Sequence, residues 1–251
     1  MYFSGQGKVL VATAVNGVPG VFRHVGNAKG VAFTLGTDTF EHKESMTGQR
    51  LTDLRLITGK TAGVKFTLED FKKENLALAL YGVSSVIGAG TVTAEVLPST
   101  IAAADFVRLA KQKVSSVVVK DSTPTTPKTL IQGTNYRVSN TDLGTLEFLE
   151  LTTGAPFVQP FKADYANALV TNNNMFTTAQ PEVWLRFEGL NTADSNKGVL
   201  VELYRCALSP LTELALINDE LAVLDMSGSV LYDDTKVGDT LLGQFGRIVM
   251  V

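Results

Sequence analysis

Apolar residues recur at every second position in four stretches of the chain: Val31, Phe33 and Leu35; Val64, Phe66 and Leu68; Val92, Ala94 and Val96; and Val183, Leu185 and Phe187. A period of two is that of a strand with one buried face. In the last stretch the interleaved residues are Glu182, Trp184, Arg186 and Glu188, so its second face reads as polar. Lys113 to Lys120, Thr145 to Leu151, Lys197 to Leu208 and Gly246 to Val251 are rich in β-branched or aromatic residues, several with apolar groups on both faces, and read as strands covered on both sides. Turn residues punctuate them at Asn16-Gly17, Pro124 to Pro127, Gly133 to Asn135, Gly144, Thr153-Gly154, Asn172 to Asn174, Asp194 to Gly198 and Ser227-Gly228. This spacing predicts a mainly β chain, a β-sandwich or barrel, with one flanking α-helix.

That helix is predicted over Asp70 to Tyr81. Thr67 or Asp70 is placed to cap it, acidic residues crowd its first turn, and Gly82 stands where a left-handed residue closes a helix. Ala102 to Ala104 favour a second helix within Thr100 to Lys113, whose start the sequence leaves open. No solenoid repeat is present, and the simplest division is a single domain, 1–251, in which the pattern leaves the order of residues 1–29 open.

Between the first two alternating stretches the chain turns polar. Glu41, Lys43, Glu44, Gln49, Arg50 and Asp53 cannot be buried unpaired, so Asp38 to Lys60 is expected as a protruding charged loop in solvent or against another chain.

Composition narrows the chemistry. With 251 residues the chain can bury a substantial core. Its 22 Lys plus Arg against 25 Asp plus Glu, with no dense basic run, disfavour tight nucleic-acid binding. The single cysteine, Cys206, excludes an internal disulfide framework and reads as a small core residue. No apolar run approaches the length that spans a bilayer, and the N-terminus lacks a secretion signal, so a soluble, unsecreted protein without membrane insertion is expected.

Catalytic patterns fail at particular positions. Gly59-Lys60-Thr61 echoes a phosphate-binding loop, but its first glycine falls on Leu54. Gly82 to Val86 lacks the last glycine of a nucleophile elbow, with only His24 and His42 as possible bases. Two histidines and one cysteine give no zinc spacing, and Asp233-Asp234 lacks the alternating acids of a calcium loop. No enzyme activity, metal or cofactor is expected.

The order of segments carries a resemblance. A strand, the Glu-His-Lys-Glu-Ser run (Glu41 to Ser45), a second strand and the Glu-Asn-Leu-Ala-Leu-Ala-Leu-Tyr-Gly helix end (Glu74 to Gly82) resemble the major tail tube protein of long-tailed, non-contractile bacteriophages. Lys162 to Ala166, Phe187 to Asn191, Val201 to Arg205, Ser209-Pro210, Asn218 to Glu220 and Gly228 to Asp233 are similar to later parts of that family, so the likeness runs from about Gly30 onward.

The resemblance implies a structural virion protein. Six copies form a ring whose inner sheets join into one continuous β-barrel, and rings stack into the tube through which the genome is ejected. The implied partners are further copies of the chain, a tape measure protein in the lumen during assembly, and terminator and distal tail or baseplate proteins at the ends. Double-stranded DNA passes without specific binding, and the setting is the virion tail, with the host cytoplasm during assembly. Glu41, His42, Lys43, Glu44, Gln49, Arg50 and Asp53 are then candidates for contacts between subunits. Glu95, Glu182, Arg186 and Glu188 are candidates to face the lumen, where an acidic-to-neutral wall leaves DNA mobile. The alternatives are a tube protein of contractile tails or type VI secretion, and a carbohydrate-binding or adhesin β-sandwich, for which the single Trp184 offers little stacking platform.

Overall fold

The computed structural model describes residues 2–251. It is 49% strand and 4% helix, which makes the chain mainly β. In chain order the strands are β1 (Gly5–Ala12), β2 (Ala14–Val15), β3 (Val18–Pro19), β4 (Arg23–His24), β5 (Ala28–Lys43) and β6 (Thr52–Leu68). The helix α1 (Lys73–Ala79) follows, then β7 (Ser84–Ile87), β8 (Gly90–Val96), β9 (Phe106–Arg108), β10 (Val114–Lys120), β11 (Tyr136–Asn140), β12 (Thr145–Phe148), β13 (Lys162–Asn167) and β14 (Val170–Asn173). The last strands are β15 (Glu182–Asn191), β16 (Lys197–Leu208), β17 (Leu224–Val230) and β18 (Gly246–Met250).

Contacts divide the chain, read from sequence as one domain, into two compact units. Unit 1 comprises 1–84 and 173–251, and unit 2 is the continuous segment 85–172 between them. The junctions carry only short turn signals, Gly82 to Gly90 (GVSSVIGAG) and Asn172 to Asn174, with no long polar linker between two patterned regions. β7 and β14, the strands at the two junctions, pair with each other instead.

Unit 1 is built on an eight-stranded sheet in the order β4-β1-β15-β16-β17-β6-β5, with β18 paired to β16. The sheet does not close into a barrel. It curls so that Val31 and Phe33 of β5 line the same apolar groove as Phe187 of β15 and Val201 of β16. Its core holds Val9, Val11, Val64, Phe66, Leu68, Leu185, Leu208, Leu224 and Met226, with Leu76, Leu78 and Ala79 of α1 packed against it.

The helix is shorter than predicted and differently capped. Lys72 is the N-cap and makes no side-chain capping bond. Asp70 accepts instead from the Asn27 N–H at 3.2 Å, and Thr67 donates to Asp225. At the other end Tyr81, not Gly82, takes the left-handed conformation, with φ 50°. The Gly82 N–H then reaches back to the Ala77 carbonyl at 2.9 Å, the six-residue closure of a Schellman end. Gly82 is required for another reason: a Cβ there would lie 1.8 Å from the Asn174 carbonyl oxygen.

The segment 38–60, expected as a loop, is strand over most of its length. β5 and β6 pair from Ala28↔Leu68 out to Lys43↔Thr52, and only 44–51 turn. The charges misled the reading, because an exposed hairpin needs no buried face to keep its backbone paired.

Unit 2 contains two three-stranded sheets, β10-β13-β8 and β11-β12-β9. Leu97, Val119, Leu146, Phe148, Phe161 and Tyr165 form its core, in which the Phe148 and Phe161 rings stack at 5.5 Å. Thr100 to Lys113 is not helical but contains β9. The strand predicted from Val92, Ala94 and Val96 exists, yet Val96 is exposed. The register shifts on β8 between Val92 and Glu95, where Ala94 has φ 52°, and a one-residue bulge turns the following side chains to the other face.

Candidate assembly surfaces

The hairpin of β5 and β6 carries all seven candidates for contact between subunits, and the structure gives them different occupations. Glu41 stands opposite Arg55, with 3.7 Å between carboxylate and Nε. His42 Nδ1 lies 2.6 Å from Asp53 Oδ1. Both pairs are exposed cross-strand pairs of the ribbon, of the kind that adds only tenths of a kcal/mol.

Glu44 is committed to the turn itself. Its carboxylate accepts from the Thr47 hydroxyl, the Thr47 N–H at 2.9 Å and the Met46 N–H at 2.7 Å. Led by the Thr47 hydroxyl, these donors hold its carboxyl at about 2. Glu44 therefore orders the tip. The spacing Glu44-x-x-Thr47 is the sequence signal for this local turn. Lys43, Gln49 and Arg50 are exposed, and Arg50 has φ 51°. Among the described residues neither Lys43 nor Arg50 is in an ion pair. They are the tip's uncommitted cations.

The four lumen candidates do not form one group. Glu95 belongs to unit 2, where its carboxylate accepts from the Ala110 N–H at 2.8 Å and from the Tyr165 hydroxyl. Burial, with Glu95 adding to it, pushes that phenol up to about 12.

Glu182, Arg186 and Glu188 share one face of β15 in unit 1, as their spacing of two requires. Arg205 grips Glu182 from the neighbouring β16, with nitrogens at 2.9 and 3.1 Å from Oε2. Arg186 donates to Glu188 at 2.7 Å and to Glu202 at 2.9 Å. Arg247 of β18 donates to the other oxygen of Glu202 at 2.7 Å. Sequence reasoning missed Glu202, which is buried and bridges the two guanidiniums. Its signal was pairing: Arg186↔Glu202 and Glu202↔Arg247 are direct cross-strand partners, invisible until the register is known. Trp184, on the same face, is covered by the Tyr204 ring at 4.6 Å and by Lys236, so it offers no open aromatic platform.

Among the described residues no group of three His, Cys, Asp or Glu side chains is placed to hold a metal, and no helix is long and apolar enough to cross a membrane. Cys206 is buried, and burial pushes its thiol up to about 12.

The strand edges complete the inventory. β5 is a terminal strand of the large sheet, 16 residues long, and among the described residues it pairs with β6 alone. Among the described residues β18 pairs only with β16. The sequence matches, over residues 2–249, the family described as "protein of unknown function UCP028589". No curated protein matches it.

Proposed function

The chain belongs to that family, and we propose for it a structural role: a self-assembling subunit of the tail tube kind, whose copies close into six-membered rings and stack into a conduit for phage genome ejection. The observation that carries the reading is the 16-residue strand β5, unpaired along one side and continued into a projecting hairpin. A monomer with so long an open edge is a template for strand addition, and proteins that stay monomeric blunt such edges with proline, bulges or charge. β5 contains no proline, and from Val31 to Thr37 it carries neither charge nor bulge; its one extra residue, Lys29, and its other charged or ionisable residues, Asp38, Glu41, His42 and Lys43, lie toward the two ends.

Pairing β5 to an edge of the next copy is a heterologous contact, which closes into a ring when the rotation permits. Joined sheets then form the continuous barrel that one copy alone lacks.

The face bearing Glu182, Arg186 and Glu188 suits a lumen. Lys8, Arg186, Arg205 and Arg247 are set against Glu182, Glu188 and Glu202, and each of the three arginines is already held by a carboxylate. A wall of neutralised guanidiniums releases few counterions to passing phosphates, so DNA would not be retained. In this role a tape measure protein occupies the lumen during assembly, and terminator and distal tail proteins cover the ends. The buried Trp184 weighs against the carbohydrate-binding alternative.

The test is negative-stain electron microscopy of the purified chain over a concentration series, paired with light-scattering mass. Stacked rings or hollow filaments are expected. A strictly monomeric chain at every concentration would count against the proposal.

A further inference from the structure

The hairpin changes its apolar face partway along its length. At the base, Val31, Phe33 and Leu35 of β5 stand opposite Phe66, Val64 and Ala62 of β6; Val31, Ala62, Val64 and Phe66 pack on the core of unit 1, while Phe33 and Leu35 on the same side are exposed. Nearer the tip, Phe40 stands opposite Leu56 and His42 opposite Leu54. Phe40 is an odd number of residues from Phe33, so by the two-residue period it points to the other side of the ribbon.

β6 follows the same switch through a bulge. Asp38 pairs with Gly59 but Thr39 with Ile57, which leaves Thr58 as an extra residue. One inserted residue moves every later side chain across the ribbon, and this brings Leu54 and Leu56 onto the face of Phe40. The opposite face of the tip carries Thr39 with the exposed Ile57 across from it and the Glu41–Arg55 pair. A finger built to lie back on its own core would keep one apolar face throughout. This tip turns its apolar side away from the side on which its base is buried.

The same chain contains an apolar receptor. The groove in unit 1 has a volume of 380 Å³ and is lined by Phe3, Val31, Phe33, Phe187, Val201 and Ile248, among others. Small-molecule sites combine apolar walls with a few convergent polar side chains. Here, among the described residues, no polar side chain lines the wall.

We propose that the Phe40, Leu54 and Leu56 face of one copy seats in this groove of a second copy. The proposal rests on the self-assembly reading and adds the site that receives the hairpin. Area supports a second copy as occupant. Phe40, Leu54 and Leu56 are 53%, 47% and 49% exposed, and with Met46 and Leu51 of the turn the finger presents on the order of 500 Å² of apolar side chain. That is toward the upper end of the largest patch a typical monomer leaves exposed, a size at which such patches are often functional, and over half of the ~800 Å² each partner contributes to a stable interface. Finger and groove are different surfaces of one molecule, so the contact repeats head to tail without using itself up.

Paired cysteines test it on the full chain. Native Cys206 is buried, with its thiol held protonated, so introduced exposed thiols are the reactive ones. Leu56→Cys protein is mixed with Ile248→Cys protein and oxidised while assembly is followed by sedimentation. Leu56→Cys with Leu143→Cys serves as the control, because Leu143 is exposed in unit 2. A second pair, Phe40→Cys with Met250→Cys, guards against unfavourable disulfide geometry at the first. Mixed disulfide several-fold above the control, in at least one pair and at assembling concentrations, is the expected result. Assembly without enriched mixed disulfide in either pair would overturn the groove as receptor while leaving the tube reading intact. Absence of both assembly and cross-link would overturn the two together.

Discussion

The guanidinium of Arg186 donates to the buried carboxylate of Glu202 at 2.9 Å, tying β15 to β16 where their residues are directly paired. Glu202 is also held by Arg247, so its charge is matched from two strands. Removing a partner from a buried pair costs more than removing an exposed pair, because a desolvated charge is left behind. Arg186 is a third exposed and can rehydrate when its partner goes, which limits the loss. Glu202→Ala is expected to cost about 2–3 kcal/mol. Glu182→Ala, at the exposed Arg205 pair, is expected to cost below about 1 kcal/mol. Urea unfolding of the two variants checks the ranking, and equal midpoints would show that Glu202 carries no special load.

Gly82→Ala should destabilise by about 1–3 kcal/mol through overpacking. A Cβ would meet the Asn174 carbonyl oxygen at 1.8 Å, and that backbone is fixed because the Asn174 side chain accepts the Val83 N–H at 2.6 Å. Gly48→Ala is the contrasting case. Nothing lies within 4 Å of its Cβ position, but its φ of 78° strains any L residue. There the loss, about 1 kcal/mol, is conformational and confined to the hairpin tip. Thermal unfolding together with amide exchange at 44–51 separates the two effects.

Acid should act late on the hairpin tip and on unit 2. Glu44 is held at about 2, first by the Thr47 hydroxyl, against an ordinary 4.5. At Asp121 burial alone would raise the value, but the Thr123 hydroxyl and the Lys128, Val158 and Thr123 amides outweigh it and hold the group at about 2, from 3.8. The unfolded chain binds protons first, so each contribution is complete above the ordinary value and is lost as the pH falls through about 2. Side-chain NMR titration should find both midpoints near 2. Asp121→Asn, which places an amide among four donors, should cost about 2 kcal/mol at neutral pH. A midpoint near 4 for either group would contradict its hydrogen-bond set.

The strands were legible where one face is buried and the ladder is regular. Val64, Phe66 and Leu68 are buried as their alternation predicts, and so are Val183 and Leu185. The departures arise where geometry depends on a partner. The bulges at Thr58 and Ala94 change face without any residue that announces it, so Val96 was assigned inward and the apolar tip went unnoticed beneath its charges. Buried polar groups were equally hidden. Asn75 lies in a helix that reads as amphipathic, yet it bonds Arg23 and the Val25 carbonyl, 52 and 50 residues away in the chain. Among the candidate residues, spacing placed Glu182, Arg186 and Glu188 on one face, but only the register revealed Glu202 between Arg186 and Arg247.

Charge at the tip should govern the speed of assembly more than its end point. Lys43 and Arg50 are exposed and in no ion pair among the described residues, whereas Glu41, His42, Glu44 and Asp53 are occupied within the hairpin. Uncommitted rim charges steer encounter and set register, and their removal changes association rate and salt dependence. The double variant Lys43→Glu and Arg50→Glu should keep the far-ultraviolet dichroism and thermal midpoint of the parent chain, since neither side chain packs on a core. Its polymerisation, followed by light scattering at low salt, should slow by about tenfold or more. Raising ionic strength toward 1 M shortens the screening length to about 3 Å and should bring the two proteins' rates together. Apolar tip variants behave differently: Phe40→Ser with Leu56→Ser should lose assembly at every salt concentration, because burial of their side chains is not screened. Normal kinetics from the charge-reversed chain at low salt would remove Lys43 and Arg50 from the interface and leave the hairpin's apolar face as its only contact.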